Sequence, residues 1–197
     1  MQGFLGLLCA SIIVAVNSLP INNKPNQIHI ALAGRDANGD PNGMAVSYHT
    51  NNATTATQVK YGITSKLYTK VMEGNQQSYY ETFHHHVVLE DLLPATKYFY
   101  VVGSDADGWS KEYFFKSAPT ATSLRSNYSF LFFADLGSYN GEASNAYVAQ
   151  VKDSVELILH GGDVGYADDS FLHLKCATNF CYEDAYNDYM KGMIISN

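Results

Sequence analysis

The sequence has few charged residues and no cluster of basic ones. Charged residues make up 16% of the 197 residues, below the roughly 25% typical of soluble domains, whereas apolar residues make up 46%. This balance excludes a highly charged, disordered chain. The net charge is −7, and no basic cluster is present that could neutralise a nucleic-acid backbone. We therefore expect a folded chain of one large or two smaller domains, with no nucleic-acid partner.

The chain also lacks an apolar run long enough for a membrane span. The run from Phe4 to Val16 is shorter than the roughly 20 residues that a helix needs to cross a bilayer. It is typical of a secretory signal peptide, although a Lys or Arg is missing before Phe4, and small residues near Asn17 and Ser18 offer a cleavage point. We predict a signal peptide over residues 1–18; the alternative is a buried amino-terminal helix. After cleavage we expect no membrane partner and a secreted, lysosomal or vacuolar location.

Cysteines are few, and their use depends on this location. Of the three, Cys9 would leave with the signal peptide, while Cys176 and Cys181 could pair across a tight loop in an oxidising compartment. In a reducing compartment they would instead be two free thiols. Asn52 in Asn-Ala-Thr and Asn127 in Asn-Tyr-Ser fit glycosylation acceptors, a triplet that also occurs often by chance.

Residues 26–119 alternate between apolar and polar side chains, with breaks at turn-forming clusters. This pattern predicts short antiparallel strands with one buried face, such as the face that carries Val59, Tyr61 and Ile63. A tyrosine at the corner after Leu93 can return its hydroxyl to the nearby backbone, as in fibronectin-like sandwiches. We predict a β-sandwich that contains no catalytic constellation.

Several histidines invite a metal-site interpretation. His84, His85 and His86 are consecutive, but adjacent residues of a strand point to opposite faces and do not converge on one ion. We interpret them as polar contacts within the strand or between domains. His160 is either a partner of metal ligands or a hydrogen-bonded histidine of the sheet.

The pattern changes after a linker rich in Ser, Thr, Ala and Pro, and residues 127–197 form the second predicted domain. Two apolar runs, Tyr128–Phe133 and Val155–Leu159, flank the helix-compatible segment Ala143–Lys152. Continuous apolarity favours parallel strands that are covered on both faces and joined by a right-handed crossover. Residues Tyr182–Ile195 have apolar side chains at helical spacing. The fold class predicted is a β-sandwich followed by the start of an α/β domain.

Each of the two predicted parallel strands is followed by an aspartate. Asp135 and Asp163 lie 28 positions apart, close to one βαβ unit of about 30 residues, so both carboxylates should reach the same sheet edge. Neighbouring carboxylates repel unless a cation or proton intervenes, and oxygen ligands suit hard metal ions. Tyr166 could add a phenolic oxygen, as phenolate only beside a strongly polarising cation. The alternative is that both aspartates cap helices and Tyr166 is a packing aromatic.

Three segments together resemble the purple acid phosphatases. They are Asp135-Leu136-Gly137, the run Gly162-Asp163-Val164-Gly165-Tyr166 followed by Ala167-Asp168, and Leu93-Pro94-Ala95-Thr96-Lys97-Tyr98 at the sandwich corner. The resemblance implies a fibronectin type III-like domain followed by a calcineurin-like metallophosphoesterase domain that hydrolyses phosphate monoesters. It implies Fe(III) bound by Asp135, a second ion (Fe, Zn or Mn) bridged through Asp163, and Tyr166 as the phenolate that gives the colour.

The sequence also departs from the family pattern. Ala134 stands where the family usually has Gly, and the later Gly-Asn-His and Gly-His-x-His motifs, which would supply an Asn and His ligands, do not occur. We therefore expect a chain that is truncated relative to the family and inactive, or nearly so, as an isolated product. The alternative is a secreted, non-catalytic binding module with a vestigial phosphatase segment. The sequence does not indicate the natural substrate or the oligomeric state.

Overall fold

The computed structural model describes residues 23–123, 128–137, 141–170, 178 and 180–193. The predicted signal peptide, Asn127 and Cys176 lie outside these residues. The described part contains an antiparallel β-sandwich followed by a short α/β segment. None of its helices has the length and apolarity that crossing a membrane would require.

Two antiparallel sheets form the sandwich. The first has the order β1-β2-β6-β5, with bounds β1 (Asn26–Ala33), β2 (Gly43–Thr50), β5 (Asn75–Tyr79) and β6 (Thr82–Leu89). The second has the order β4-β3-β7-β8, with β9 also paired to β7; its bounds are β3 (Gln58–Gly62), β4 (Lys70–Glu73), β7 (Lys97–Ser104), β8 (Gly108–Trp109) and β9 (Tyr113–Lys116). The alternating pattern in the sequence therefore predicted this architecture correctly.

The facing sides of the two sheets enclose one continuous apolar core. Strand alternation places one side chain in two on this inner side. Val59 and Tyr61 are buried as predicted, but Ile63 is 59% exposed because β3 ends at Gly62 and Ile63 already lies in the following turn. The core comprises Ile28, Met44, Val46, Tyr48, Val59, Tyr61, Val87, Leu89, Leu92, Tyr98, Tyr100, Val102 and Phe115.

The corner between β6 and β7 is fixed by a tyrosine hydroxyl, as the sequence suggested. The backbone N–H of Leu93 donates to the Tyr98 hydroxyl at 2.9 Å. The Tyr98 ring is buried and stacks against Phe115. One side chain thus joins the turn to the core, which is the corner arrangement of fibronectin-like sandwiches.

The second region is a parallel strand-helix-strand unit. Its elements are β10 (Phe130–Phe133), β11 (Leu136–Gly137), α1 (Glu142–Val151), β12 (Leu157–His160), β13 (Val164–Gly165) and α2 (Tyr182–Gly192), with 3-10 turns at Ala121–Ser123, Lys152–Ser154 and Ala167–Ser170. Strand β10 pairs in parallel with β12, and β11 with β13. Helix α1 lies in the crossover from β10 and β11 to their parallel partners β12 and β13, as predicted.

The expectation that both faces of this small sheet are covered is wrong for the described residues. Phe130 and Phe132 are each 60% exposed, and Leu159 is 43% exposed. On the other side, Leu136, Tyr189 and Met193 form a small buried cluster. One face of the sheet is therefore packed by α2, while the described residues leave much of the other face exposed.

Candidate metal centre

The sheet register brings the two aspartates to the same edge. Phe133 at the end of β10 is the partner of His160 at the end of β12. Each strand is followed by a short turn and a second parallel contact, in which Leu136 pairs with Val164. Because the two turns lie side by side, Asp135 and Asp163 follow strand ends at the same edge of the sheet.

Tyr166 joins the two carboxylates. Its hydroxyl oxygen lies 2.9 Å from Oδ1 of Asp135 and 2.9 Å from Oδ2 of Asp163. A phenol has one proton to donate, so two acceptors compete for it. The three side chains singled out from the sequence therefore converge on one point, with the phenolic oxygen between the carboxylates.

The electrostatics of this group are those of a site rich in negative charge. Hydrogen bonding to Asp135 and then to Asp163 raises the pKa of Tyr166 strongly, because ionising the phenol would add a third negative charge. Asp135 and Asp163 are both exposed. Among the described residues, the side chain that contacts both carboxylates is the Tyr166 hydroxyl and not a cationic group. Such a set of oxygen ligands suits a hard cation.

The backbone that carries these side chains is held in an unusual conformation. Asp135, Asp163 and Tyr166 all have positive φ, at 56°, 41° and 40°. For residues other than glycine this left-handed region is disfavoured, and such residues cluster at functional sites. Gly162 and Gly165, with φ of 97° and 88°, allow the turn between them to point its side chains inward.

The turn after β12 is supported from behind by α2. The Tyr189 hydroxyl lies 3.1 Å from Nδ1 of His160, and the His160 ring contacts that of Phe133 in a tilted arrangement, with 4.6 Å between the ring centroids. A side chain at Gly165 would contact the rings of Tyr186 and Tyr189 at 3.3–3.6 Å. Burial lowers the pKa of His160, opposed by the charge of Asp135. His160 is therefore a hydrogen-bonded strand histidine behind the site.

Helix capping does not explain the two aspartates. The residue before α1 is Gly141, and no side chain caps this helix. Asp135 is instead followed by β11, and Asp163 by β13. The two aspartates are therefore placed by the ends of the strands that precede them. A role in packing alone would not explain why the Tyr166 hydroxyl contacts both carboxylates.

The consecutive histidines separate to different faces, as predicted. His85 is buried inside the sandwich, where its Nε2 lies 2.8 Å from Thr50 Oγ1 and its Nδ1 lies 2.7 Å from Thr57 Oγ1. His84 and His86 lie on the outer face of the same sheet, since β-strand residues alternate. Among the described residues, no three His, Cys, Asp or Glu side chains are close enough to hold a metal ion; a tyrosine is not included in such a set.

Of the residues predicted to be glycosylated or disulfide-bonded, the structure describes Asn52 and Cys181. Asn52 is exposed in the bend after β2. Cys181 is disulfide-bonded, and its predicted partner Cys176 is outside the described residues. Sequence reasoning missed the link between Tyr189 and His160, because a hydrogen bond between residues 29 positions apart leaves no periodic signal; the only indication was the apolar helical spacing of the α2 segment.

Known proteins resemble this chain in sequence. Residues 25–117 match the family profile described as the purple acid phosphatase N-terminal domain. The chain is 33% identical over 149 residues to purple acid phosphatase 21 of Arabidopsis thaliana, covering 73% of this chain and 31% of that protein. It is 28% identical over 159 residues to Fe(3+)-Zn(2+) purple acid phosphatase 12 of the same plant, covering 76% and 32%.

The fold extends the likeness beyond the sandwich. A purple acid phosphatase from yellow lupin (Lupinus luteus) seeds superimposes with a TM-score of 0.64 over 88% of this chain and 34% of that structure, at 17% identity. The chain is thus a relative of the purple acid phosphatases, as the sequence motifs indicated. It spans about a third of the length of the curated relatives named here.

Proposed function

We propose that this chain corresponds to the front part of an acid phosphatase and that Asp135, Asp163 and Tyr166 are metal ligands. The observation that carries the proposal is the 2.9 Å approach of the Tyr166 oxygen to both carboxylates. The family relationship supports the class of reaction, the hydrolysis of a phosphate monoester substrate.

The three oxygens fit a hard, highly charged ion. In this proposal Asp135 and Tyr166 would hold Fe(III), and Asp163 would be a ligand of Fe(III) and of a second ion, which is divalent (Fe, Zn or Mn); one relative carries Fe(3+)-Zn(2+) in its name. When bound, such a pair of ions supplies Lewis acidity and lowers the pKa of a bound water. The positive φ of the three residues holds the ligands in place before an ion arrives, which reduces the reorganisation that binding requires.

Iron binding by the 197-residue chain tests the ligand assignment. Fe(III) supplied as its citrate complex at pH 5 should produce a visible phenolate-to-iron absorption band. We expect Tyr166→Phe to abolish the band. Asp135→Asn and Asp163→Asn should weaken binding by at least about tenfold, the loss seen even for outer partners of metal ligands. The matched control is Tyr147→Phe, which removes the hydroxyl of a tyrosine that is 58% exposed on α1.

A band that persists in Tyr166→Phe would contradict the assignment, as would a wild-type chain that stays colourless. The same metal-loaded samples serve for a phosphatase assay. Because the described residues contribute three oxygen ligands and no histidine, we expect no hydrolysis of p-nitrophenyl phosphate above buffer. Saturable turnover would overturn the proposal that the isolated chain is inactive.

We further propose that the protein enters the secretory pathway and is glycosylated. Two observations support this: Cys181 is disulfide-bonded, which suits an oxidising compartment, and the Asn52 acceptor is exposed. The exported protein should begin after about residue 18 and lose mass on treatment with a glycosidase. An Asn52→Gln variant should lose one glycan. An intact mass that retains residues 1–18 and shows no glycan would exclude this location.

A further inference from the structure

The outer face of the first sandwich sheet, beneath α2, concentrates buried polar atoms without partners. Eight buried side-chain nitrogen and oxygen atoms in the described part of the chain lack a hydrogen-bond partner. Six of these eight belong to Asn26, Gln27, His29, His49 and His84. Such atoms are costly to bury, so their collection at one place calls for a physical reason.

The histidines form a cluster across three strands. His49 on β2 is paired in register with His84 on β6, and their rings meet edge to face at 5.6 Å. His29 on β1 pairs with Ser47 of β2. Because Ser47 lies two residues before His49, His29 is on the same face of the sheet as His49. His49 is only 3% exposed. We call His29, His49 and His84 the outer histidine cluster.

Helix α2 packs against the His29 and His49 side of this cluster. Nε2 of Gln27 donates to Oδ1 of Asn187 at 3.2 Å, and Asn187 is buried. The backbone of Met190 lies within hydrogen-bonding reach of His29, and Lys191 is close enough to His49 to disfavour its positive charge. The contact between α2 and β1 is thus made largely of polar groups.

The described residues do not form a three-ligand metal site at this cluster. No three His, Cys, Asp or Glu side chains of the described residues approach closely enough to hold an ion, and this holds for His29, His49 and His84. Each of these imidazoles can take up a proton, but protonation would leave a positive charge in a partly or fully buried place where at least one of its ring nitrogens has no described hydrogen-bond partner.

We propose that the outer histidine cluster and α2 form a pH-sensitive contact that closes when the histidines are neutral and opens when they are protonated. The proposal does not depend on the phosphatase assignment. In this proposal α2 links the sandwich to the turn that carries Asp163. The helix contacts the sandwich through Asn187 and Gln27, and it contacts His160, at the end of the strand before that turn, through Tyr189.

No negatively charged side chain of the described residues stabilises the protonated form of these histidines. Burial, then His84 and Lys191, lowers the pKa of His49 to about 4, and burial lowers the pKa of His84. Burial also lowers the pKa of His29, opposed by the Met190 backbone. No carboxylate of the described residues is among these causes.

The other ionisable groups near the contact include Tyr79, whose ring meets that of His84 edge to face at 4.9 Å. Glu183 and Tyr186 of α2 face Tyr79 on β5, and Lys191 lies 3.4 Å from Asp188 of its own helix. His86, on the same sheet face, is exposed and lies 3.0 Å from the Ser47 hydroxyl. It therefore provides a matched control outside the covered area.

The direction of the pH effect follows from these lowered pKa values. A histidine released from the contact has a pKa of about 6.5, whereas in the contact His49 has a pKa of about 4. Protons therefore favour the open state, and the closed contact loses stability as pH falls below about 6.5, with no further loss below about 4.

Hydrogen exchange of the full chain at pH 7 and pH 5, corrected for the intrinsic pH effect, tests the proposal. We expect the amides of α2 to lose protection by about tenfold at pH 5. The double variant His49→Gln, His84→Gln should remove most of this pH dependence, and His86→Gln should keep it. Amides of β3 and β7 report on the sandwich itself and should change less than those of α2.

Three results would overturn the proposal. They are unchanged α2 protection between pH 7 and pH 5, equal pH dependence in the double variant, and a parallel loss throughout the sandwich, which would instead point to His85. Should the double variant fail to fold, the ring-proton titration of His49 in the unmodified chain decides. A midpoint near 6.5 contradicts the proposal, and one below about 5 supports it.

Discussion

The sandwich and the α/β segment differ in how completely each buries its apolar side chains. In the sandwich, thirteen buried residues form one core between two sheets. In the segment that follows, three buried residues form a small cluster on one side, while Phe130 and Phe132 on the other side are each 60% exposed. The region with the closed core carries no candidate catalytic group, and the region with the open sheet carries all three proposed ligands.

The region that contributes most to stability is therefore not the region that carries the proposed metal ligands. The free energy of unfolding of the described residues is supplied mainly by the sandwich, because it scales with the apolar area removed from water. The proposed metal-site turns depend on supports outside their own strands, namely α2 and, through it, the sandwich. Positive φ values at Asp135, Asp163 and Tyr166 add local strain to a region with little core of its own.

The largest expected effect comes from opening a cavity in the sandwich core. Leu89 is fully buried, so Leu89→Ala should lower the free energy of unfolding by about 2–5 kcal/mol. The matched substitution in the other region, Phe132→Ala, removes a larger side chain but one that is 60% exposed. It should change stability by no more than about 0.5 kcal/mol. Denaturant unfolding of the two variants beside the parent chain measures both effects.

The comparison between the two regions fails if Phe132→Ala costs as much as Leu89→Ala. That result would mean that the apolar face of β10 and β12 is covered in solution. A small effect of Leu89→Ala would equally contradict the assignment of stability to the sandwich.

A smaller effect should follow from loss of the corner hydrogen bond. Tyr98→Phe removes the acceptor of the Leu93 N–H but keeps the buried ring, so it should cost about 1 kcal/mol. Tyr80→Phe removes the hydroxyl of a residue that is 61% exposed and should stay within about 0.5 kcal/mol of the parent. Equal costs for the two variants would show that the corner bond does not contribute, and would weaken the view of the sandwich as a self-sufficient unit.

Much of the fold followed from patterns along the chain. Period-two alternation predicted the sandwich, and a strand-helix-strand order with an aspartate after each strand predicted the parallel pair β10 and β12. The convergence of Asp135 and Asp163 followed from strand polarity alone, since neighbouring parallel strands end at the same edge. The boundary at Ile63 was wrong by one residue, because alternation continues across a strand end without marking where pairing stops.

Other features could not be predicted from single residues. His49 and His84 become neighbours only through the register of β2 and β6, and neither has a local motif. The contact of α2 with β1 joins Gln27 to Asn187, which are 160 positions apart. Polar contacts of this kind leave no periodic signal, so the sequence distinguished a helix with an apolar stripe but not the surface against which it packs.

By itself the sequence determined the strand alternation, the aspartates after the two apolar runs, and Tyr166 three residues beyond the second aspartate. These are local features, fixed by side-chain periodicity and by the turns that glycine permits. The tertiary structure alone decided that the Tyr166 oxygen lies between both carboxylates, that α2 supports the turn, and that His29, His49 and His84 gather on one face of the first sheet. Each of these depends on contacts between distant residues, whose geometry is set by the packing of whole elements against one another.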